Sequence, residues 1–403
     1  MEDTAVSSAE ANKVAEGVYW VGAVDWDVRT FHGYTYTTPR GTTYNAYLVK
    51  DEKLALVDSV YAPFTSEMLK RIRALVDPEK IDYVVANHVE TDHSGALAAI
   101  LSVAKNAKLV CNARCKDGLE KNYYGNWDYQ IVKTGDTIRL GRNTLTFIEA
   151  PMLHWPDSMF TYIPEQELLL PNDGFGQHIA SCERFVEDYD EAVVMQEAAK
   201  YYANILMPMS GLVIKKIEEL QKLKLSIRTI APSHGLIWRK PEKILSAYLR
   251  WAAGEAEKAV LVVYDTMWTA TEKMAHAMVE GIVSEGVSAK ITRLAVSDRS
   301  DAIRDCMLMK GILAGTSTIN RGMLPAMVPF LEDLKGLQPR EKVGASFGSY
   351  GWSGGGAEAA EKILREAGVK IVAKPITVKF MPSAEELKRC YDFGRDVASK
   401  VKE

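Results

Sequence analysis

No run of about eighteen apolar residues occurs in this 403-residue chain, and its start, Met1-Glu-Asp-Thr-Ala-Val-Ser-Ser, lacks the basic-then-apolar order of a secretion signal. A soluble, cytoplasmic protein with no membrane partner is therefore expected. Basic charge is not in excess: 49 Lys and Arg against 53 Asp and Glu leave a formal charge of -4, which gives no footprint for nucleic acid. Cysteine is scarce and odd in number. Cys111, Cys115, Cys182, Cys306 and Cys390 fit reduced thiols better than a disulfide framework. Cys111 and Cys115 are spaced Cys-x3-Cys and no Cys-x2-Cys pair exists, which speaks against a small iron site held by cysteines. Internal repeats and low-complexity tracts are missing too. What is present in quantity is apolar residue, 47% of the chain, too much for one ordinary core, so two domains are expected.

A change of pattern near Gly254 divides the chain into residues 1–254 and 255–403. Before it, short strands at 54–58, 83–86, 108–111, 144–148, 167–170 and 229–232 alternate with irregular loops. Residues 187–222 are apolar-periodic and predict two helices split at Pro208, where the missing N–H interrupts the ladder. After it, strands at 259–264, 289–295, 311–314, 342–347 and 369–373 alternate with helices at 272–284, 300–309, 325–335, 357–367 and 384–400. Five strands alternating with helices of about 10 to 15 residues mark a doubly wound parallel sheet.

The densest chemistry lies at residues 88–93, His-Val-Glu-Thr-Asp-His, directly after the strand-like Tyr83-Val-Val-Ala. Four metal-capable side chains in six positions point to a metal site, on the loop at that strand's carboxyl end, with a helix expected from Ser94. His154, Asp173 and His234 each follow another strand-like run. Taken singly, a histidine at a strand end is an ordinary hydrogen-bonded residue and an Asp-Gly pair is an ordinary turn. Taken together with His88, Glu90, Asp92 and His93 they make four imidazoles and three carboxylates. That is too many for one ion. Two ions sharing one carboxylate would use all seven and leave open positions for a small substrate. His32 and His178 stand near the set in sequence and are the candidates for proton donors beside it. His276, inside an amphipathic helix, reads as solvated or structural.

The second half carries three small-residue loops after its strands. Thr266, Met267, Trp268, Thr269, Ala270 and Thr271 open a helix with hydroxyls and free backbone N–H groups, a cradle for a phosphate. The loop has no glycine, so it is neither a Walker loop nor a dinucleotide fingerprint. Ser317, Thr318, Ile319 and Asn320 follow the third strand. Ser349, Tyr350, Gly351, Trp352, Ser353 and Gly354 follow the fourth, with aromatics able to flank a flat ring. Hydroxyl-rich turns also cap ordinary helices, and it is their number and order that favour a flavin site.

The first-half set resembles the metallo-β-lactamase superfamily, in which a strand-end His-x-His-x-Asp-His string, a later His, an Asp and a final His hold two metals. The departure is Glu90, a carboxylate where those hydrolases have histidine. Carboxylate-rich sites with some imidazole suit iron and nitrogen-rich sites favour zinc, although raw affinity still ranks zinc above ferrous iron. A glutamate there, with a flavodoxin-like second half, is similar to the two-domain type of flavodiiron protein. The resemblance covers the whole chain. It implies an α/β fold: a metallo-β-lactamase-like αββα sandwich followed by a flavodoxin-like doubly wound sheet that binds FMN. It implies one iron on His88, Glu90 and His154, another on Asp92, His93 and His234, and Asp173 between them.

Within the family the overall likeness is to the coenzyme F-420 dihydride oxidases of methanogenic archaea. That implies dioxygen reduced to water with electrons from reduced coenzyme F-420 through FMN. Four electrons are needed, two from a diferrous pair and two from the reduced flavin. It also implies a head-to-tail homodimer, or a dimer of dimers, in which the flavin of one subunit faces the irons of the other. Nitric oxide reduction fed by rubredoxin, a zinc hydrolase, and an electron-transfer flavoprotein with a degenerate first half are the alternatives.

Overall fold

The structure, a computed structural model, describes residues 12–403 and divides into two compact units. One comprises the described chain up to Phe31 with residues 38–201 and 211–248; the other comprises residues 249–403 with 32–37 and 202–210. Among the described residues, no helix is long and apolar enough to cross a membrane.

The first unit holds two sheets. A seven-stranded sheet runs in chain order through β1 (Lys13–Ala15), β2 (Val18–Trp20), β3 (Tyr47–Lys50), β4 (Leu54–Val57), β5 (Ile81–Val85), β6 (Lys108–Cys111) and β7 (Tyr129–Ile131). A five-stranded sheet follows: β8 (Thr137–Arg139), β9 (Thr144–Glu149), β10 (Met159–Ile163), β11 (Leu168–Leu170) and β12 (Thr229–Ile230). Successive side chains of a strand point to opposite faces, and here both faces are buried. Val49, Val57 and Val85 turn inward onto Phe147, Met159 and Leu168 of the second sheet. Their neighbours Leu48, Leu56 and Val84 turn the other way, onto Met68 and Ile72 of α1 (Thr65–Leu75) and onto Leu97 and Ile100. That is the αββα sandwich.

The six strands expected in this half undercount the two sheets. The additional strands are mostly three or four residues long, too short to show an alternation, and the longest of them, Met159–Ile163, is buried on both faces and has none. The string expected as a loop is in part helical. Asp92 and His93 lie in the single turn α2 (Thr91–Ser94), and α3 (Leu97–Val103) follows. Residues 187–222 form α4 (Glu191–Tyr201), a π-helical stretch at Tyr202–Leu206, a 3-10 turn at Met207–Met209 carrying Pro208, and α5 (Ser210–Lys222).

The second unit is a parallel sheet of β13 (Glu257–Tyr264), β14 (Ser288–Arg293), β15 (Met309–Ser317), β16 (Val343–Tyr350) and β17 (Lys370–Ile371), ordered β14-β13-β15-β16-β17. The last expected strand is split: β17 ends early and β18 (Ile376–Lys379) pairs with β16 beyond it. On one face Val260, Val262 and Leu313 pack on Met274, Met278 and Ile282 of α6 (Ala270–Ser284) and on Val397 and Val401 of α7 (Ala384–Lys402). The order reverses direction at β13 and β15, the switch point where open sheets leave a crevice beyond the strands' carboxyl ends.

Candidate metal centre and flavin site

Four loops, each leaving a strand of the sandwich, carry the metal-capable side chains of the first unit. A buried carboxylate, Asp58, ties three of its loops together. It accepts hydrogen bonds from the Asn87 backbone N–H at 2.8 Å, the Asn87 amide at 3.0 Å and the Asn172 amide at 3.2 Å, which holds the segment before His88 against the segment before Asp173. Imidazole orientation is set from outside the cluster. The His88 Nδ1–H donates to Asp157 at 3.0 Å, and Asp157 also accepts the Val89 N–H at 2.7 Å. The His234 Nδ1–H donates to the Thr43 carbonyl at 2.7 Å. Both partners are pure acceptors, so the tautomer follows from them and each Nε2 is left free to bind a cation. Gly235 secures the turn after His234: its φ is +77°, and a Cβ there would fall 1.4 Å from the Gln177 amide oxygen.

Two groups result. In the first, His88 Nε2 and His154 Nε2 each lie 3.3 Å from Glu90 Oε2, and His154 Nε2 lies 3.1 Å from Asp173 Oδ2. In the second, Asp92 stands 3.1 Å from His234 Nε2 and 3.3 Å from His93 Nε2. Asp173 Oδ1 lies 3.0 Å from His93 and 3.5 Å from His234. Asp173 thus turns one oxygen to each group. Donor atoms about 2.1 Å from a common ion stand roughly 3 to 3.5 Å apart, the spacing found in both groups.

Charge supports a cation at each group. Burial alone would depress the His88 pKa, but Asp157, Glu90 and Asp173 outweigh it and hold it at about 10. His93 and His154 are likewise raised to about 9 against burial, by Asp173 with Asp92 and by Asp173 with Glu90. Converging carboxylates draw protons onto the rings where metal ions would otherwise satisfy them. His93 Nε2 and Asp92 Oδ1 are buried without a hydrogen-bond partner, as atoms directed at a metal would be. The residues fit two ions. His88, His93, Asp173 and His234 are buried, while Glu90 and Asp92 are partly exposed and form the open side.

In the second unit the hydroxyls of Thr271, Ser317 and Ser349 interlock at 2.9 to 3.1 Å, joining the start of α6 to the ends of β15 and β16. Above them lies a cavity of about 500 Å³ lined by Met267, Trp268, Ser317, Tyr350, Trp352 and Phe380, among others. Trp268 and Trp352 are 80% and 91% exposed, large apolar faces suited to being covered by a flat ring. The free N–H groups at the start of α6 and the hydroxyl floor suit a phosphate beside that ring. These residues fit FMN.

Residues 42–235 match the ODP family beta lactamase and residues 262–394 match Flavodoxin. A nitric oxide reductase of Moorella thermoacetica is 52% identical over 391 residues, 96% of this chain and 98% of that protein. A coenzyme F-420 dihydride oxidase of Methanocaldococcus jannaschii is 42% identical over 408 residues, 97% of each. The flavodiiron protein of Giardia intestinalis, solved by crystallography, has a TM-score of 0.94 at 35% identity over 97% of this chain and 96% of that one. The chain belongs to the flavodiiron protein family.

This flavodiiron protein is an oxidoreductase whose cofactors are FMN and a non-haem diiron site. All seven side chains named from its sequence come together in the two groups. His178 stands beside them, buried, with Nδ1 2.8 Å from the Thr42 hydroxyl and its ring centroid 4.8 Å from that of His234. His32 groups with the other unit, lining a cavity of about 270 Å³ with Asn204, Glu332 and Asp333. Of the flavin loops, Thr266, Thr269, Thr271, Ser353 and Gly354 do not line the larger cavity, whereas Phe380 and Met381 do and went unnoticed in the sequence. Their signal was an aromatic at the carboxyl end of a strand, β18, that had not been recognised. Asp157 was also missed. Its signal was weaker, a carboxylate three residues past His154 whose partner, His88, lies 69 positions earlier.

Proposed function

We propose that this flavodiiron protein reduces small diatomic gases at a diiron pair, converting dioxygen to water and coupling nitric oxide to nitrous oxide. The observation that carries this is Asp173, whose two oxygens face two separate histidine-carboxylate groups with an open side at Glu90 and Asp92. In this reading His88, Glu90 and His154 would hold one iron and Asp92, His93 and His234 the other, with Asp173 shared between the two groups. The diiron domain is placed within residues 1–254 and the FMN domain within 255–403, with FMN seated on the loops at 266–271, 317–320 and 349–354. The relative named as a nitric oxide reductase and the relative named as a coenzyme F-420 dihydride oxidase support the two gases.

When bound, the irons supply the sites for gas and two electrons, and FMN supplies the further pair that four-electron chemistry needs. The protein's own groups do the rest. Asp157 and the Thr43 carbonyl fix the His88 and His234 rings. Phe31, Tyr44 and Trp155 pack edge-to-face against those rings at centroid distances of 5.0 to 6.0 Å and keep bulk water off them. His178, held through Nδ1 by Thr42, is the proton donor this reading assigns beside the second group, and His32 is retained as a second candidate. Protons balance as four per dioxygen reduced to two waters, and as two per pair of nitric oxides giving nitrous oxide and one water.

Reduced coenzyme F-420 is the proposed electron donor, on the support of the Methanocaldococcus relative, and a head-to-tail homodimer or dimer of dimers is the proposed assembly. The test uses iron-loaded, FMN-replete protein with chemically reduced coenzyme F-420 or rubredoxin as donor. Oxygen uptake and nitrous oxide formation are measured side by side, with stopped-flow bleaching of the flavin by each donor. Neither gas being consumed with fully reduced flavin sinks the proposal. Bleaching by rubredoxin alone removes the deazaflavin donor and leaves the gas chemistry standing.

A further inference from the structure

At the flavin loops a second, smaller cavity of about 250 Å³ adjoins the first, sharing Thr318, Asn320, Gly351 and Trp352 with it and adding Arg321 and Ser353. It includes none of residues 266–271, so it belongs to the end away from the phosphate loop. Arg321 is the one charged residue lining either cavity.

Its placement is strained. Ile319 and Gly322 exchange both backbone hydrogen bonds, at 3.1 and 2.8 Å, closing a two-residue turn. Asn320 and Arg321 occupy it with φ of +50° and +61°. A turn with both central residues left-handed is normally built of Asn-Gly, and an arginine in the glycine position bears a conformational cost that glycine avoids. Gly355 accommodates it: a Cβ there would lie 2.8 Å from the Arg321 carbonyl. Strain of this kind persists where the surrounding structure fixes the conformation, and it gathers at ligand sites. Among the described residues no carboxylate pairs with the guanidinium. Nearby charges are engaged elsewhere. Glu358 accepts the Gly355 N–H at 3.1 Å, Asp265 stands 3.6 Å from Arg293, and the Lys379 ammonium lies 5.5 Å from the Phe380 ring. Tyr350 is the remaining titratable group on the lining.

We propose that Arg321 supplies the positive charge that favours the reduced, anionic form of the bound flavin. Taking up two electrons and one proton leaves the isoalloxazine ring with one negative charge, and the unpaired guanidinium at the ring end of the site lowers the energy of that charge more than that of the neutral oxidised ring. This rests on FMN sitting on the three loops named above.

The test is an anaerobic spectroelectrochemical titration of full-length, FMN- and iron-loaded protein, followed by flavin absorbance across a range of pH. Arg321→Gln is expected to bind reduced flavin about tenfold more weakly relative to oxidised flavin, a two-electron potential about 30 mV lower. The pH at which the reduced flavin loses its proton should rise in the same variant, and Arg321→Lys should recover most of both. An Arg321→Gln potential and pH profile equal to wild type overturn the proposal. If that variant loses FMN on purification, its apoprotein is titrated with oxidised and with reduced FMN. Equal weakening of the two overturns the proposal and selective weakening of the reduced form supports it. A Thr271→Val, Ser317→Ala double variant separates the layers: full FMN retention there refutes the flavin site itself, whereas FMN loss there with an unshifted Arg321→Gln refutes only the role of Arg321.

Discussion

Glu90 is the side chain on which the expected choice of metal turns. Its carboxylate touches both His88 and His154, so the first group has two oxygens and two nitrogens. Exchanging it for imidazole makes that group nitrogen-rich and moves its preference toward zinc. Glu90→His is expected to carry zinc in place of iron at the first group and to lose gas reduction while keeping FMN. Metal analysis of protein made with iron in excess checks this, and a fully iron-loaded, active variant would falsify it. Asp157 acts one step further out, holding the His88 ring through Nδ1. Asp157→Ala should weaken metal binding about 10- to 100-fold by freeing that ring, measured by chelator competition, with Asp157→Asn closer to wild type because its amide oxygen still accepts. An unchanged alanine variant would make Asp157 a bystander. The seven ligand-type residues were legible in the sequence because they crowd at strand ends. Asp157 was not, since nothing local links it to His88.

At the scale of elements, α6 and α7 approach closely because each presents a glycine to the other. A Cβ on Gly281 would meet the Tyr391 carbonyl at 2.0 Å, and one on Gly394 would meet the Met278 carbonyl at 2.2 Å. Backbone cannot yield as a side-chain tip can, so Gly394→Ala should destabilise the second unit by about 1–3 kcal/mol, read from urea unfolding followed by flavin release. The junction of the helix Arg299–Leu308 with β16 buries a cation: Lys342, 3% exposed, donates to the Met307 carbonyl at 2.5 Å. Burial lowers its pKa from 10.5 to about 8, with Cys306 opposing. Between about pH 8 and 10.5 the unfolded chain holds a proton that the folded chain has lost, so stability rises with pH through that window. At about 1.4 kcal/mol per pKa unit the rise is on the order of 3 kcal/mol. Lys342→Met should abolish it, seen as a flat difference in urea midpoint between pH 8 and 10. A variant whose midpoint climbs as steeply as wild type would place the titration elsewhere. The helices of this unit were readable from their 3.6-residue period. The short strands of the first unit were not, because three residues are less than two full periods of a strand, too few to show an alternation.

For the whole molecule, the metals are part of the fold. The cluster gathers loops from β5, β9, β11 and β12, and removing its ions leaves three carboxylates facing one another among the rings. A ligand present at a hundred times its dissociation constant contributes about 2.7 kcal/mol, so chelator-stripped protein should unfold its first unit at lower temperature while the flavin stays bound. Calorimetry with flavin fluorescence on the same sample would show it; a first transition indifferent to metal would mean the loops hold themselves. The sequence by itself determined the two-part architecture and which seven ligand-type side chains lie at strand ends, since each is written in short-range pattern: strand-end position, ligand type and period. Only the tertiary structure decided which oxygen of Asp173 serves which group, that Asp157 rather than a nearer residue orients His88, that His178 stands beside the cluster, and that Arg321 sits alone beside the flavin cavity. Those are relations between segments tens to hundreds of residues apart, and side-chain proximity of that kind arises from how the layers pack, which no local spacing encodes.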